Sequence, residues 1–191
     1  MQTTKIIFDG QTVKQLAVQL CYPVRDDLDA LWKYINLLSQ EQTFLIFQGE
    51  EISLDDETAW LNARLDRITQ KQSVMLLAFH DHTLIACAEV DMLSGVKRHI
   101  GDLGISVALS YRGRGVGELL MQKVIEAALA ELPGLEVITL EVFGNNSVAM
   151  SLYKKLGFME FGRIPGGIIH RAAYVDAVYM YRLRNSLDAR N

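Results

Sequence analysis

Between residues 101 and 130 the chain reads Gly101-Asp102-Leu103-Gly104-Ile105-Ser106-Val107, then Ala108-Leu109-Ser110-Tyr111, then Arg112-Gly113-Arg114-Gly115-Val116-Gly117, then a long apolar-periodic run. This order predicts a strand, a short turn, a glycine-rich loop and the start of a helix. Several backbone N–H groups then point the same way at a helix N-terminus, where unsatisfied donors and the positive end of the helix dipole favour an anion. Glycine at every second position lets backbone approach a bulky ligand without Cβ atoms in the way. Arg112 and Arg114 add positive charge.

Spacing narrows what carries the phosphate. The P-loop pattern ends in Gly-Lys-Ser/Thr, which is absent here. The dinucleotide fingerprint is Gly-x-Gly-x-x-Gly, and Gly113-x-Gly115-x-Gly117 is one residue short of it. Glu141 sits near the end of the next strand, about where a ribose-binding acid would stand, so that reading stays open. On the loop alone, a glycine-rich turn with no ligand is open too.

A second motif follows. Arg112-x-x-Gly115-x-Gly117 resembles the acyl-CoA pyrophosphate loop of the GNAT N-acetyltransferase superfamily. The run Asn146-Ser147-Val148-Ala149-Met150-Ser151-Leu152-Tyr153-Lys154-Lys155-Leu156-Gly157-Phe158 resembles that family's second signature, Asn, then Ala, then Leu-Tyr, then Gly-Phe. The two stand in the family's order, separated by one helix and one strand. The resemblance runs from about Leu84 to Met180 and more loosely over the first half. It implies the acyl-CoA N-acyltransferase fold, a central mixed β-sheet in an α/β chain with helices on both faces. It also implies acetyl-CoA as co-substrate, no metal, and a primary amine acceptor, either a small molecule or a protein amine.

Length and composition agree with such a domain. The 191 residues suit one well-packed α/β domain covering residues 1–191, with residues 1–16 a leading segment of open role. Half the residues are hydrophobic and 22% are charged, which excludes a disordered chain. The formal net charge of −4 comes with no basic block, so nucleic acid is not an expected partner. Cys21 and Cys87 form no Cys-x-x-Cys pattern and stand beside no His cluster, which argues against zinc. Residues 1–10 lack the apolar core of a leader, and no apolar run reaches the length of a membrane span. The expected compartment is the cytoplasm, with reduced thiols and no membrane partner.

Along the chain, Lys5 to Phe8 reads as a short strand followed by an Asp9-Gly10 turn, and Leu16 to Tyr22 as a strand ended by Pro23. Helices are predicted from Arg25, with Leu28, Leu31, Trp32, Ile35 and Leu38 on one face, and from Ser53 through Trp60, Leu61, Leu65 and Ile68. Trp32 and Trp60 are expected core anchors. Phe44 to Phe47 fits either a strand or a buried turn. Two strands flank an Asp81-His82 turn. In the central strand Leu103, Ile105 and Val107 alternate with Asp102, Gly104 and Ser106, giving one apolar and one small or polar face. After the loop, Val116, Leu119, Leu120, Val124, Ala127, Ala128 and Leu132 form a helical stripe ended by Pro133-Gly134. Then come a strand over Val137 to Val142, a helix capped by Asn146 or Ser147, a strand to Ile164, a Pro165-Gly166-Gly167 turn and a last strand over Tyr174 to Tyr181.

N-acetylation needs a neutral amine to attack a thioester, an oxyanion to be stabilised and a thiolate to be protonated. The resemblance implies pairing of the pantetheine arm with backbone at Ile105, Ser106 and Val107, where the strand splays from its neighbour and an N–H meets the oxyanion. It implies that the loop Arg112, Gly113, Arg114, Gly115, Val116 and Gly117 holds the pyrophosphate, and that Asn146 and Tyr153 face the cofactor arm, with Tyr153 the general acid. Asp102, on the small-residue face, is a candidate base; His99, Glu89 and Glu141 are others, while His80, His82 and His170 read as turn or surface residues. Cys87 reads as a small buried side chain rather than an acyl carrier. Arg171, Tyr174 and Asp176 lie where the family often closes over its acceptor, although an ordinary sheet role suits Asp176 as well. The expected reaction is direct transfer in a ternary complex. A non-catalytic acyl-CoA-binding or sensing module is the alternative. The resemblance also admits a homodimer through the leading segment or the last strand.

Overall fold

The computed structural model describes residues 4–184. Of the leading segment, residues 1–3 lie outside the described residues. In order come β1 (Ile6–Gln11), β2 (Ala17–Cys21), α1 (Leu28–Gln40), α2 (Leu54–Thr69), β3 (Ser73–His80), β4 (Thr83–Met92) and β5 (Ile100–Val107). They are followed by α3 (Val116–Glu131), β6 (Val137–Phe143), α4 (Ser147–Lys155), β7 (Met159–His170) and β8 (Ala173–Leu183). The strands form one sheet in the order β1-β2-β3-β4-β5-β6-β8-β7, and β5 and β6 are parallel. Contacts divide the chain into two compact units. One holds the residues up to Val90 with Gly104–Leu132; the other holds Asp91–Leu103 with the residues from Pro133 onward.

In the first unit every residue of β3 from Ser73 to Ala78 is buried, as a strand is when both of its faces are covered. Met75 and Leu77 pack with Leu31, Tyr34 and Leu38 of α1 and Leu61 of α2. Strand alternation turns Val74, Leu76 and Ala78 to the other face, and α3 packs on β3. Full burial of a Leu, Met or Ile contributes roughly 1.5–3 kcal/mol each, and Leu20, Met75, Leu76, Leu77, Ile85, Leu120 and Met121 are all fully buried. The buried stripe of α3 runs through Val116, Leu120, Met121, Val124, Ile125 and Ala128. It is rotated from the expected one: Met121 and Ile125 are buried, and Leu119 and Ala127 are only half-buried.

The helix starts follow their sequence signals. Ser53 caps α2 by accepting from the Asp56 N–H, and Asp55, Asp56 and Glu57 fill its first turn. A single 3-10 turn, Arg25–Asp27, precedes α1, so that helix starts at Leu28. Trp60 is 38% exposed with the Arg64 guanidinium over its ring, so it is not a core anchor. Trp32 is half-buried and donates from Nε1 to the Ile52 carbonyl. Phe44 to Phe47 forms no strand; it is a bend, half-buried except for the exposed Ile46, with Leu45 packed against the core.

Within the leading segment, β1 extends past the expected turn to Gln11. Asp9 and Gly10 lie inside β1, paired with Gln19 and Val18, and the chain turns later, over residues 12–16. The Thr12 N–H donates to the Leu16 carbonyl, and Gln15 takes φ +62°. Lys5 meets Glu131 at 2.9 Å and lies over the Tyr22 ring, while the Tyr22 hydroxyl donates to the same carboxylate at 2.6 Å. These bonds tie β1 and β2 to the end of α3.

In the second unit, β6 pairs in parallel with β5 over Ile100–Val137, Gly101–Ile138 and Asp102–Thr139, and antiparallel with β8 along its whole length. The expected Pro165-Gly166-Gly167 turn is instead a bulge inside β7. The register jumps from Ile164–Ala177 to Ile168–Val175. Asp176 holds the bulge by accepting from the Gly166 N–H at 3.1 Å, and a Cβ at Gly167 would lie 3.0 Å from that of Ala177. The real turn is Arg171-Ala172, both at positive φ (52° and 61°), as a type I′ hairpin requires. Ala is strained there. Ala172→Gly is therefore expected to raise stability by about 0.5–1 kcal/mol, seen as a higher urea midpoint at unchanged slope.

Candidate active site

The glycine-rich loop lies in the first unit, between a 3-10 turn (Leu109–Tyr111) and α3. Gly113 and Gly115 take φ +70° and +82°, the left-handed region that glycine enters at no steric cost. Gly115 is the N-cap of α3, and it has no side chain with which to cap the helix. A phosphate is the kind of ligand such donors suit.

Other segments hold the loop's carbonyls and its first arginine. The buried Thr12 hydroxyl donates to the Arg114 carbonyl at 2.7 Å, and Lys14 Nζ donates to the Gly113 carbonyl at 2.7 Å. Arg112 does not stand out as a free cation. Its Nε donates to the Val107 carbonyl at 2.8 Å, one terminal nitrogen bonds Thr43, and the other pairs with Glu41. The Glu41 carboxylate also accepts from the Leu109 N–H at 2.8 Å. The Arg114 guanidinium lies 5.6 Å from the Tyr111 ring centroid. Sequence reasoning missed Thr12, Lys14 and Glu41, which stand 102, 99 and 71 residues from their partners. No local pattern marks such pairs.

On the small-residue face of β5, Gly104 and Ser106 are half-buried and meet polar groups, and Asp102 is exposed. Ser106 Oγ lies 3.0 Å from the Tyr34 hydroxyl and 3.3 Å from Cys87 Sγ. A Cβ at Gly104 would come within 2.5 Å of a Glu89 carboxylate oxygen, so only glycine leaves that side chain its place. Tyr34 was missed too. Its signal is the helical spacing Leu31, Tyr34, Leu38, and a buried phenol needs a polar partner. Burial pushes the Cys87 thiol up to about 12, helped by the Glu89 charge and opposed by the Ser106 hydroxyl. Burial, with the Asp27 charge, does the same to Cys21. Glu57 is 5% exposed, and desolvation holds its carboxyl above the ordinary value.

The second unit holds the remaining candidates. The Asp102 carboxyl is raised above its usual range, first by desolvation and further by the Asp91 and Glu141 charges, against a 3.3 Å bond from the Thr139 hydroxyl. Glu141 accepts from the Tyr179 hydroxyl. Asn146 caps α4, its side-chain oxygen accepting from the Ala149 N–H at 3.1 Å. Tyr153 is the buried residue of that helix and packs against Phe158 at 6.1 Å between ring centroids. Burial pushes its phenol up to about 12. Asp176 is committed to Arg163 at 3.0 Å and to the Gly166 N–H, so it is a sheet residue. Arg171 is in the hairpin turn and Tyr174 is exposed beside it. His99 is exposed, and its carbonyl accepts from Glu136 and Val137. His170, expected at a turn or surface, is buried edge-on against Phe143, with Nδ1 3.3 Å from the Asn145 amide. In the first unit, His80 Nδ1 lies 2.7 Å from the Ala17 carbonyl, and His82 occupies its hairpin turn at φ +63°.

The chain is thus an α/β fold with one mixed sheet and a left-handed glycine turn opening α3. The chain belongs to the acetyltransferase (GNAT) family, whose model matches residues 32–158. It is similar to the L-amino acid N-acetyltransferase AaaT of Escherichia coli (strain K12), at 33% identity over 126 residues, 65% of this chain and 75% of that one. A stretch of 64 residues, 34% of this chain and 36% of the relative, is 42% identical to an N-alpha-acetyltransferase of Sulfurisphaera tokodaii. Among solved structures, a GNAT-family acetyltransferase from Streptococcus pneumoniae superposes with a TM-score of 0.79 at 27% identity, over 87% of this chain and 99% of that chain. The fold is shared with yncA from Salmonella typhimurium, solved with its cofactor acetyl-CoA (TM-score 0.74, 17% identity, 87% and 93% covered). Among the described residues, no helix is long and apolar enough to cross a membrane, and no group of three or more His, Cys, Asp or Glu is placed to hold a metal ion.

Both thiols stay protonated at neutral pH in the folded chain. Labelling of Cys21 and Cys87 by a thiol reagent at pH 8 is therefore expected to be at least about tenfold slower in the native protein than in urea. The sign for stability follows. Their contribution is complete below the thiol value of the unfolded chain, near 9, and is lost as pH rises from there toward about 12.

Proposed function

We propose that this protein transfers an acetyl group from acetyl-CoA to a primary amine by direct attack in a ternary complex. The observation that carries the reading is the family match over residues 32–158, which contains both the glycine loop and the Asn146 to Phe158 motif. That match draws on residues of both compact units, which supports reading residues 1–191 as a single N-acetyltransferase domain. Two free cysteines and the lack of a spanning helix among the described residues support a cytoplasmic site of action.

In this reading the N–H groups of Gly113, Arg114, Gly115, Val116 and Gly117 receive the pyrophosphate, and the left-handed Gly113 and Gly115 fit that task. The ladder between β5 and β6 ends at Asp102–Thr139 while β5 runs on to Val107. This supports pairing of the pantetheine arm with backbone at Ile105, Ser106 and Val107, and stabilisation of the oxyanion by an N–H there. Arg112 contributes by position: pinned to Glu41 and Val107, it fixes where the loop begins. Asn146 contributes as the cap that sets the start of α4.

Tyr153 serves as general acid. An ordinary phenol holds its proton at neutral pH and can pass it to a departing thiolate; burial pushes this one up to about 12, which makes it a weaker acid, so the role rests on the place of Tyr153 in the Asn146 to Phe158 motif. Asp102 serves as base, because desolvation and two neighbouring carboxylates raise its affinity for a proton. Cys87, held as a thiol, does not carry the acyl group. The acceptor class is an amine, and the relatives named as an L-amino acid N-acetyltransferase and as an N-alpha-acetyltransferase put α-amines first on the panel.

The test is thiol release from acetyl-CoA against amino acids, a peptide N-terminus, polyamines and an amine-free control. Release with one amine class supports the transferase; tight CoA binding with no release from any amine favours the non-catalytic module. Tyr153→Phe is expected to lower kcat about 10²-fold with little change in KM for acetyl-CoA; an unchanged kcat removes Tyr153 from the mechanism. Gly115→Val puts a β-branched residue at φ +82° and a Cβ 3.1 Å from Val13. It is expected to abolish stabilisation by CoA in a melting assay.

A further inference from the structure

The family match begins at Trp32, so the β1–β2 hairpin lies outside it. Yet the tip of that hairpin grips the glycine loop. Thr12 is 5% exposed, and its hydroxyl hydrogen goes to the Arg114 carbonyl at 2.7 Å. The same oxygen accepts from the N–H groups of Lys14 and Leu16 at 3.2 and 3.3 Å. One hydroxyl thus closes the hairpin turn and holds the loop. Thr12 Cβ and Val13 Cγ2 stand 3.3 and 3.1 Å from where a Cβ at Gly115 would be, so the tip fills the space behind the helix start. Lys14 donates to the neighbouring Gly113 carbonyl at 2.7 Å.

We propose that residues 12–14 are a built-in part of the phosphate cradle: Thr12 is a positioning residue for the loop, and Lys14 supplies a cation that meets the ligand's phosphate. The inference rests on the acetyl-CoA reading above. Charge accounting supports it. The Arg112 guanidinium is neutralised by Glu41 and bonded to Val107 and Thr43, so it is committed to the protein. The Lys14 ammonium is exposed, has three donors and spends one on Gly113. A flexible four-carbon stem lets it turn those donors to an anion at the adjacent helix N-terminus. Thr12 acts through geometry. Holding the Arg114 carbonyl at the hairpin fixes the loop in one conformation, and a preorganised loop loses less entropy on binding.

The experiment is equilibrium binding of acetyl-CoA to the full chain at several salt concentrations. Lys14→Met, at an exposed site, is expected to weaken binding about three- to tenfold and to flatten its salt dependence, as loss of one charge-assisted contact does. Its melting temperature without ligand should stay at the wild-type value. Thr12→Val should weaken binding similarly with the salt slope retained, and Thr12→Ser, which keeps the hydroxyl, should restore it. Wild-type affinity and salt slope in Lys14→Met, or weak binding that persists in Thr12→Ser, overturns the proposal while leaving the acetyl-CoA reading intact. If CoA fails to stabilise the wild-type chain at all, both readings fall together.

Discussion

A loop that offers its N–H groups to a ligand has to send its carbonyls somewhere else, and those carbonyls need donors. That constraint organises the first unit. Gly113 and Arg114 place their carbonyls against Lys14 and Thr12, and the Val107 carbonyl is taken by Arg112. Arg112 is held in turn by Glu41 at the end of α1, which also receives the Leu109 N–H. The loop is therefore suspended between the leading hairpin and the end of the first helix. The glycines supply conformational freedom, and these distant contacts select one conformation from it.

Beside the loop, the small-residue face of β5 meets polar groups rather than hydrocarbon. Ser106 joins Tyr34 and Cys87, and Gly104 makes way for Glu89. Burial keeps the phenol and the thiol uncharged, since a desolvated anion there would cost more than its neighbours return. A thiol so held is a poor nucleophile, which favours direct transfer on the proposed reading over an acyl-enzyme.

Much of the architecture was legible locally. The Asp81-His82 turn, the Ser53 cap, the strand and helix flanking the glycine loop and the Asn146 cap all carry their own signals, and each is where the sequence put it. The misreadings share a cause. Asp9-Gly10 and Pro165-Gly166-Gly167 look like turns, yet strand pairing absorbed the first pair and a bulge held by Asp176 absorbed the second. Trp60 lies on an apolar stripe that its neighbours leave partly open, and His170 found an aromatic partner and an amide inside the fold. Local propensity cannot register a partner strand or a distant ring.

The sequence by itself determined the family and the order of the elements, and it marked the loop on which the proposed phosphate reading rests. These depend on glycine spacing and apolar periodicity, which act over a few residues. Tertiary structure alone decided what Arg112 does with its charge, why Glu89 can lie over Gly104 and that the leading hairpin reaches the loop. Each of these is a meeting of groups far apart in sequence. Burial and geometry fix such meetings only when the whole sheet has formed.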